Sequence, residues 1–146
     1  YVPFYFAPRS PMLLAIHGGG VEGYCGKQSS IIYLVTTVQA IDAEPLEFVF
    51  TDGHGIMTIT DFFQDLTDLD KIDWDLMKEN YWANTEEDGD RKRRRQAEFL
   101  IHNFCPWHLI QKIADKDVSG RQSVNEWVAK LEHKPEVLVE RSWYYS

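Results

Sequence analysis

Five short runs rich in aromatic and β-branched residues limit the fold most: Tyr1 to Phe6, Ile31 to Thr37, Glu47 to Thr51, Leu109 to Ala114 and Glu136 to Glu140. Each has the length and composition of a strand. Helical patterns lie among them, but in no regular β-α-β alternation, so the chain is expected to be a single α+β domain without internal repeats. Pro3 makes Tyr1 to Phe6 an edge strand or one that starts irregularly. Ile31 to Thr37 is apolar on both faces and reads as central. Ser10 as N-cap and Pro11 at the first helical position open a helix through Ile16, which Gly18 to Gly20 stop. Val38 to Ala43 is a short helical piece.

Further along, Phe62, Phe63, Leu66 and Leu69 are spaced for the buried face of a helix beginning at Thr60. Asp73 caps a second helix over Trp74 to Tyr81, and Asn84 to Asp90 is a polar loop. A helix from Ser119 or Ser123 to Leu131 would bury Val124, Trp127, Val128 and Leu131. The region from Gln96 to Ile101 fits two patterns, because Ala97, Leu100, Ile101 and Phe104 have helical spacing while Ala97, Phe99 and Ile101 alternate as in a strand. Propensity leans slightly to helix.

The formal net charge of −8 would argue against a polyanionic partner if it were spread evenly. It is not: residues 61–90 hold eleven acids and two lysines, a balance of −9, and the rest of the chain sums to +1. The sequence Arg91-Lys92-Arg93-Arg94-Arg95 follows at once, dense enough to attract phosphates through its near field. The plain alternative is a basic face that offsets the acidic stretch before it. Cys25 and Cys105 form no ligand spacing, and no apolar span is long enough for a membrane helix, which points to a reducing cytoplasm and no membrane partner. No metal site is expected.

No nucleophile elbow, zinc signature or Walker loop is present. What remains is one carboxylate, Glu98, at the edge of an apolar element beside the cations, and His54, presented between two glycines in Asp52-Gly53-His54-Gly55. A single glutamate can steady an oxocarbenium-like centre and accept a proton where the leaving group departs easily. Nicotinamide in NAD is such a leaving group. His54 could equally be an ordinary exposed turn histidine.

Several separated motifs, in order, resemble the DarT family of bacterial DNA ADP-ribosyltransferase toxins: YVPFYFAPRSPML at residues 1–13, FVFTDGHG at 48–55, DWDLM and YW within 73–82, RKRRRQAEFLIH at 91–102, and RSWYY at 141–145. The resemblance spans essentially the whole chain. It implies an ADP-ribosyltransferase-like fold of two small, mainly antiparallel sheets with flanking helices, and NAD as co-substrate. It also implies ADP-ribosylation of a base, thymine before guanine, in single-stranded DNA, with a macrodomain antitoxin as partner.

Position by position, the resemblance makes Glu98 the catalytic glutamate on a strand, which overrides the helical preference there, and makes residues 73–95 the substrate loop. Tyr5 and Phe6 would line the nicotinamide pocket, with Arg9, Ser10 and Met12 closing it. His54 would lie near the incoming nucleotide. Arg91, Arg94 and Arg95 would hold DNA phosphates, with Tyr81 and Trp82 as base-holding aromatics. Two family elements that precede the YVPFYF segment have no match, so an N-terminally incomplete domain, weakly active or inactive by itself, is expected. A non-catalytic single-stranded nucleic-acid binding module and transfer to protein are the competing readings.

Overall fold

A computed structural model describes residues 1–146. In chain order the elements begin with β1 (Val2–Tyr5), α1 (Pro11–His17), β2 (Tyr33–Val35), α2 (Val38–Asp42), β3 (Phe48–Thr51) and β4 (Phe62–Phe63). They continue with α3 (Trp74–Lys78), α4 (Arg91–Arg95), β5 (Glu98–Ile101), β6 (Lys112–Asp115), α5 (Val118–Val128) and β7 (Glu136–Val139). Within the span read from the sequence as one domain, the chain packs as two compact units. Tyr1–Met12 joins Glu47–Phe104 in the first, and Leu13–Leu46 joins Cys105–Ser146 in the second. Each unit holds one small sheet.

The first unit is built on a fully antiparallel sheet in the order β1-β5-β3-β4. Its core is aromatic because Phe99 stands across from Phe4 on one side and Phe50 on the other, and Phe50 stands across from Phe63. The rings of Phe50 and Phe99 are parallel at 6.1 Å, and those of Phe50 and Phe63 stack at 5.5 Å with their planes 27° apart. Such pairs add to what simple burial of their area contributes. Ile101, Ala97 and Thr51 complete the buried layer at 0% exposure. β1 lies at the sheet edge, where Pro3 removes no needed ladder hydrogen bond.

Phe62 and Phe63 form a strand and not the start of a helix. The three-residue spacing of Phe63, Leu66 and Leu69 mimics a helical face, but pairing with β3 claims Phe63, and Phe62 stays 57% exposed. The helical turn begins only at Leu66, as a 3-10 turn over Leu66–Lys71 whose N-cap Asp65 accepts from Thr67 N at 2.9 Å. Asp73 does cap α3, accepting from Leu76 N at 3.0 Å. That helix ends at Lys78, short of Tyr81.

The second unit orders its sheet β2-β6-β7, with β2 antiparallel and β7 parallel to β6. A β-α-β crossover through α5 makes the parallel pair, an alternation absent elsewhere. β2 is therefore an edge strand of three residues, with Leu34 44% exposed, and not the central strand its apolar run suggests. An apolar run reports burial but not which side its partners occupy. α5 starts at Val118, before either serine, because Asp117 caps it by accepting from Gly120 N at 2.9 Å. Val124 and Val128 are buried, whereas Trp127 and Leu131 remain 64% and 42% exposed. Tyr144, 2% exposed, anchors the C-terminal segment by donating to Ile31 O at 2.8 Å and Ala114 O at 3.2 Å. Burial and nearby acids raise its hydroxyl pKa.

Candidate functional site

All twelve residues singled out from the sequence fall in the first unit. Glu98 opens β5, so the alternation of that strand buries Phe99 and Ile101 and leaves the Glu98 side chain half-buried. Its backbone N–H donates to Thr51 Oγ1 at 3.0 Å, and that hydroxyl donates to Gly53 O at 2.7 Å. A buried threonine thus ties the start of β5 to the 52–55 turn. A Cβ on Gly55 would lie 3.2 Å from Glu98 Oε2. Glycine here lets the backbone of the turn approach the carboxylate.

Tyr5 stands directly across from Glu98 in the β1-β5 ladder. Burial raises its hydroxyl pKa, and the Glu98 charge raises it further. Phe6, one residue on, turns to the other face and packs edge-on against Phe50, Phe99 and Trp74 with centroids 5.5 to 6.4 Å apart. Tyr5 therefore shares a ladder position with the glutamate, while Phe6 supports the core beneath. Arg9 adopts φ 56°, a left-handed backbone that non-glycine residues seldom hold and that turns the chain sharply into α1. Ser10 is buried and Met12 is exposed.

His54 is half-buried, with its Nδ1 enclosed and without a hydrogen bond. Its backbone is fixed at both ends: the N–H donates to Arg93 O at 3.0 Å, and the carbonyl accepts from Met57 N at 3.0 Å and Thr60 Oγ1 at 2.8 Å. It is a built turn.

The arginines depart furthest from the sequence expectation. Arg91 donates to Glu79 Oε2 at 2.9 Å, Tyr81 O at 2.7 Å and Ala83 O at 3.1 Å. Arg94 grips Asp88 at 2.6 and 3.1 Å and Asp73 at 3.0 Å. Arg95 is 2% exposed and donates to the carbonyls of Leu76, Met77, Glu79 and Pro8 at 2.6 to 3.1 Å. These guanidiniums face inward and hold residues 73–90 in place, so the stretch fits the alternative of cations offsetting the preceding acids. Lys92 is the exposed cation of the run. The two aromatics also separate, with Tyr81 85% exposed and Trp82 buried at 7%. Trp82 is a core residue and does not offer a stacking face.

The Arg94 guanidinium, together with the Asp90 backbone N–H, holds the Asp88 carboxyl at about 2, below its ordinary 3.8. A depressed carboxyl contributes stability that is complete above the ordinary value and is lost as pH falls through the folded value. Attachment of this part of the loop should therefore fail between about pH 4 and about pH 2. Carbon-detected NMR of the Asp88 carboxyl should titrate near the lower value, and a midpoint at 3.8 would contradict the ion pair.

Arg93, Asp52 and Thr60 form a second cluster beside His54 whose members lie far apart in sequence. The available signal was Asp90 three residues before Arg93, an acid and base one helical turn apart.

The family described as "ssDNA thymidine ADP-ribosyltransferase, DarT" matches residues 1–145. A DNA ADP-ribosyl transferase from Thermus sp. strain 2.9 is 42% identical over 99% of this chain, which spans 68% of that protein's length. The solved structure of Thermus sp. 2.9 DarT with NAD+ superposes at a TM-score of 0.92, with 39% identity over 99% of this chain and 72% of that one. Its complex with ADP-ribosylated single-stranded DNA matches at the same score and identity, covering 99% of this chain and 68% of that one. The motifs, the antiparallel sheet that presents Glu98 and these likenesses agree, and the chain belongs to the DarT family of single-stranded-DNA thymidine ADP-ribosyltransferases.

Proposed function

We propose that in the reaction of this family, NAD-dependent ADP-ribosylation of thymidine in single-stranded DNA, Glu98 is the catalytic carboxylate of this chain. The observation that carries the assignment is its placement: a half-buried acid at a strand start, across from Tyr5 and against the Cβ-free backbone of Gly55. The comparison proteins bind NAD+ and ADP-ribosylated single-stranded DNA. NAD supplies an ADP-ribosyl group on a leaving group that departs with its electron pair. Glu98 would orient a ribose hydroxyl and stabilise positive charge developing at the ribose carbon, a role that demands a fixed anion in a partly desolvated place.

Tyr5 would flank the nicotinamide ring, and Arg9, Ser10 and Met12 would shape the turn that closes over it. Phe6 would support that wall from the core side. His54 would face the acceptor base, with its enclosed Nδ1 ready for a partner. Tyr81, the most exposed aromatic of the chain, would stack a neighbouring base. Arg91 and Arg94 would serve the DNA by ordering the loop on which Tyr81 stands, and Arg95 by fixing its backbone. The proposal extends to a macrodomain antitoxin that removes the modification and to action in the bacterial cytoplasm. No helix is long and apolar enough to cross a membrane.

The test is to incubate the protein with NAD and mixed-sequence single strands and weigh the DNA. The expected result is the mass of one ADP-ribose on thymidine-containing strands, in low yield if the domain is N-terminally incomplete, and none on strands lacking thymidine. Binding of DNA without a mass change, or modified protein beside unmodified DNA, would overturn the reading.

A further inference from the structure

We propose that Arg93 is a positioning residue for the transfer step, holding the 52–55 turn, and with it His54 and Gly55, against Glu98. The inference rests on the reading that Glu98 and His54 serve transfer to a DNA base. Arg93 lies in the middle of the basic run, yet its side chain is only 11% exposed and points away from solvent. One guanidinium reaches three segments of the chain. It donates to Asp52 Oδ1 at 3.1 Å, to Thr60 Oγ1 at 3.2 Å, and to both oxygens of Asp90 at 2.7 and 2.8 Å.

Two of these acceptors act onward on the turn. The Thr60 hydroxyl donates to His54 O at 2.8 Å, and the same Asp52 oxygen accepts from Asp61 N at 3.0 Å. The backbone of Arg93 closes the ring from the other side, its carbonyl accepting from His54 N at 3.0 Å. Both polar groups of the His54 backbone are thus held by atoms of Arg93 or by a hydroxyl that Arg93 orients. The side chain also fills the space where a Cβ on Gly53 would stand, so glycine is required there for the guanidinium to lie over the turn. Gly55, two residues on, is where an added Cβ would crowd the Glu98 carboxylate.

The arrangement links the catalytic strand, the His54 turn and the substrate loop through one cation. Arg93 sits five residues before Glu98, and Asp90 is the last residue before α4. A planar fork can serve three acceptors in fixed directions, while an ammonium on a flexible stem cannot. A slack turn would leave Glu98 on its strand but let His54 and Gly55 drift. Displacements of about 1 Å at a reacting centre cost on the order of 10²-fold in rate.

The experiment compares the parent protein with Arg93→Lys and Asp52→Asn by rates of oligonucleotide modification over a range of NAD concentrations, with melting temperatures alongside. In Arg93→Lys, kcat is expected to fall on the order of tenfold to hundredfold, while KM for NAD stays at the parent value and the melting transition stays cooperative. Asp52→Asn should lose less in the same direction. Parent-like kcat in both variants overturns the inference, as does a rate loss matching the unfolded fraction alone. If Arg93→Lys fails to fold, Asp52→Asn decides in the same way. Absence of DNA modification by the parent brings down the functional reading and this inference with it, whereas an active parent with unaffected variants brings down the inference alone.

Discussion

Glu98→Gln is expected to abolish ADP-ribosyl transfer to DNA almost completely, with a loss on the order of 10³-fold in kcat, while the fold stays intact. The two halves of that expectation have separate causes. The backbone of Glu98 is held by the β1-β5 ladder and by its N–H to Thr51 Oγ1 at 3.0 Å, and neither contact depends on the carboxylate. The neutral amide is nearly isosteric and only half-buried, so stability should move by no more than about 0.5 kcal/mol. Charge stabilisation at the ribose carbon, in contrast, needs the anion. A spectroscopic companion comes from Tyr5, whose hydroxyl pKa is raised first by burial and then by the Glu98 charge. Ultraviolet titration of Tyr5 should show a lower pKa in Glu98→Gln than in the parent. Transfer within tenfold of the parent would end the assignment of Glu98 as the catalytic group.

The largest effect on stability is expected at Arg95. Its guanidinium is 2% exposed and satisfies the carbonyls of Leu76, Met77, Glu79 and Pro8, so it staples the end of α3 to the segment that follows β1. Arg95→Met keeps most of the volume but leaves those acceptors without their donor in a place water reaches poorly. Unpaired buried acceptors and the loss of a charged hydrogen-bond donor together should destabilise the protein by about 3 kcal/mol. For a chain of this size that corresponds to a melting temperature lower by about 6 to 12 °C. Lysine should not rescue it, since an ammonium cannot span acceptors placed for a fork. Amide exchange in residues 76–82 should accelerate before that of β3 and β5. A loss below about 1 kcal/mol would show that the loop is held by its apolar contacts alone.

Arg95 also shows where sequence reading and structure part. A run of five cations has the same composition whether its side chains reach outward to phosphates or inward to carboxylates and carbonyls. The choice depends on what residues 73–90 and the 52–55 turn bring within reach, and the carboxylate partners of Arg91, Arg93 and Arg94 lie 3 to 41 positions away. Trp82 follows the same logic, since pairing it with Tyr81 in sequence said nothing of the opposite environments they occupy. Phe62 and Phe63 failed for a different reason, because spacings of three residues recur by chance where a short strand meets a 3-10 turn. The helical preference over residues 96–101 was a matter of propensity, and pairing with both β1 and β3 overrode it.

Taken alone, the sequence determined the α+β class, the Asp73 cap of α3, the restriction Pro3 places on β1 and, through its ordered motifs, the family. Those features rest on local chemistry: proline at a strand edge, an aspartate before a helix, and residue types in a fixed order. Tertiary structure alone decided that Thr51 and Gly55 frame Glu98, that Tyr5 rather than Phe6 shares its ladder position, and that Arg93, Arg94 and Arg95 hold the turn and loop around the site. Hydrogen-bonding and ion-pair partners distant in sequence are fixed only when strands find their register and a loop folds back. Charge and apolarity are legible one residue at a time, but direction is a property of the packed chain.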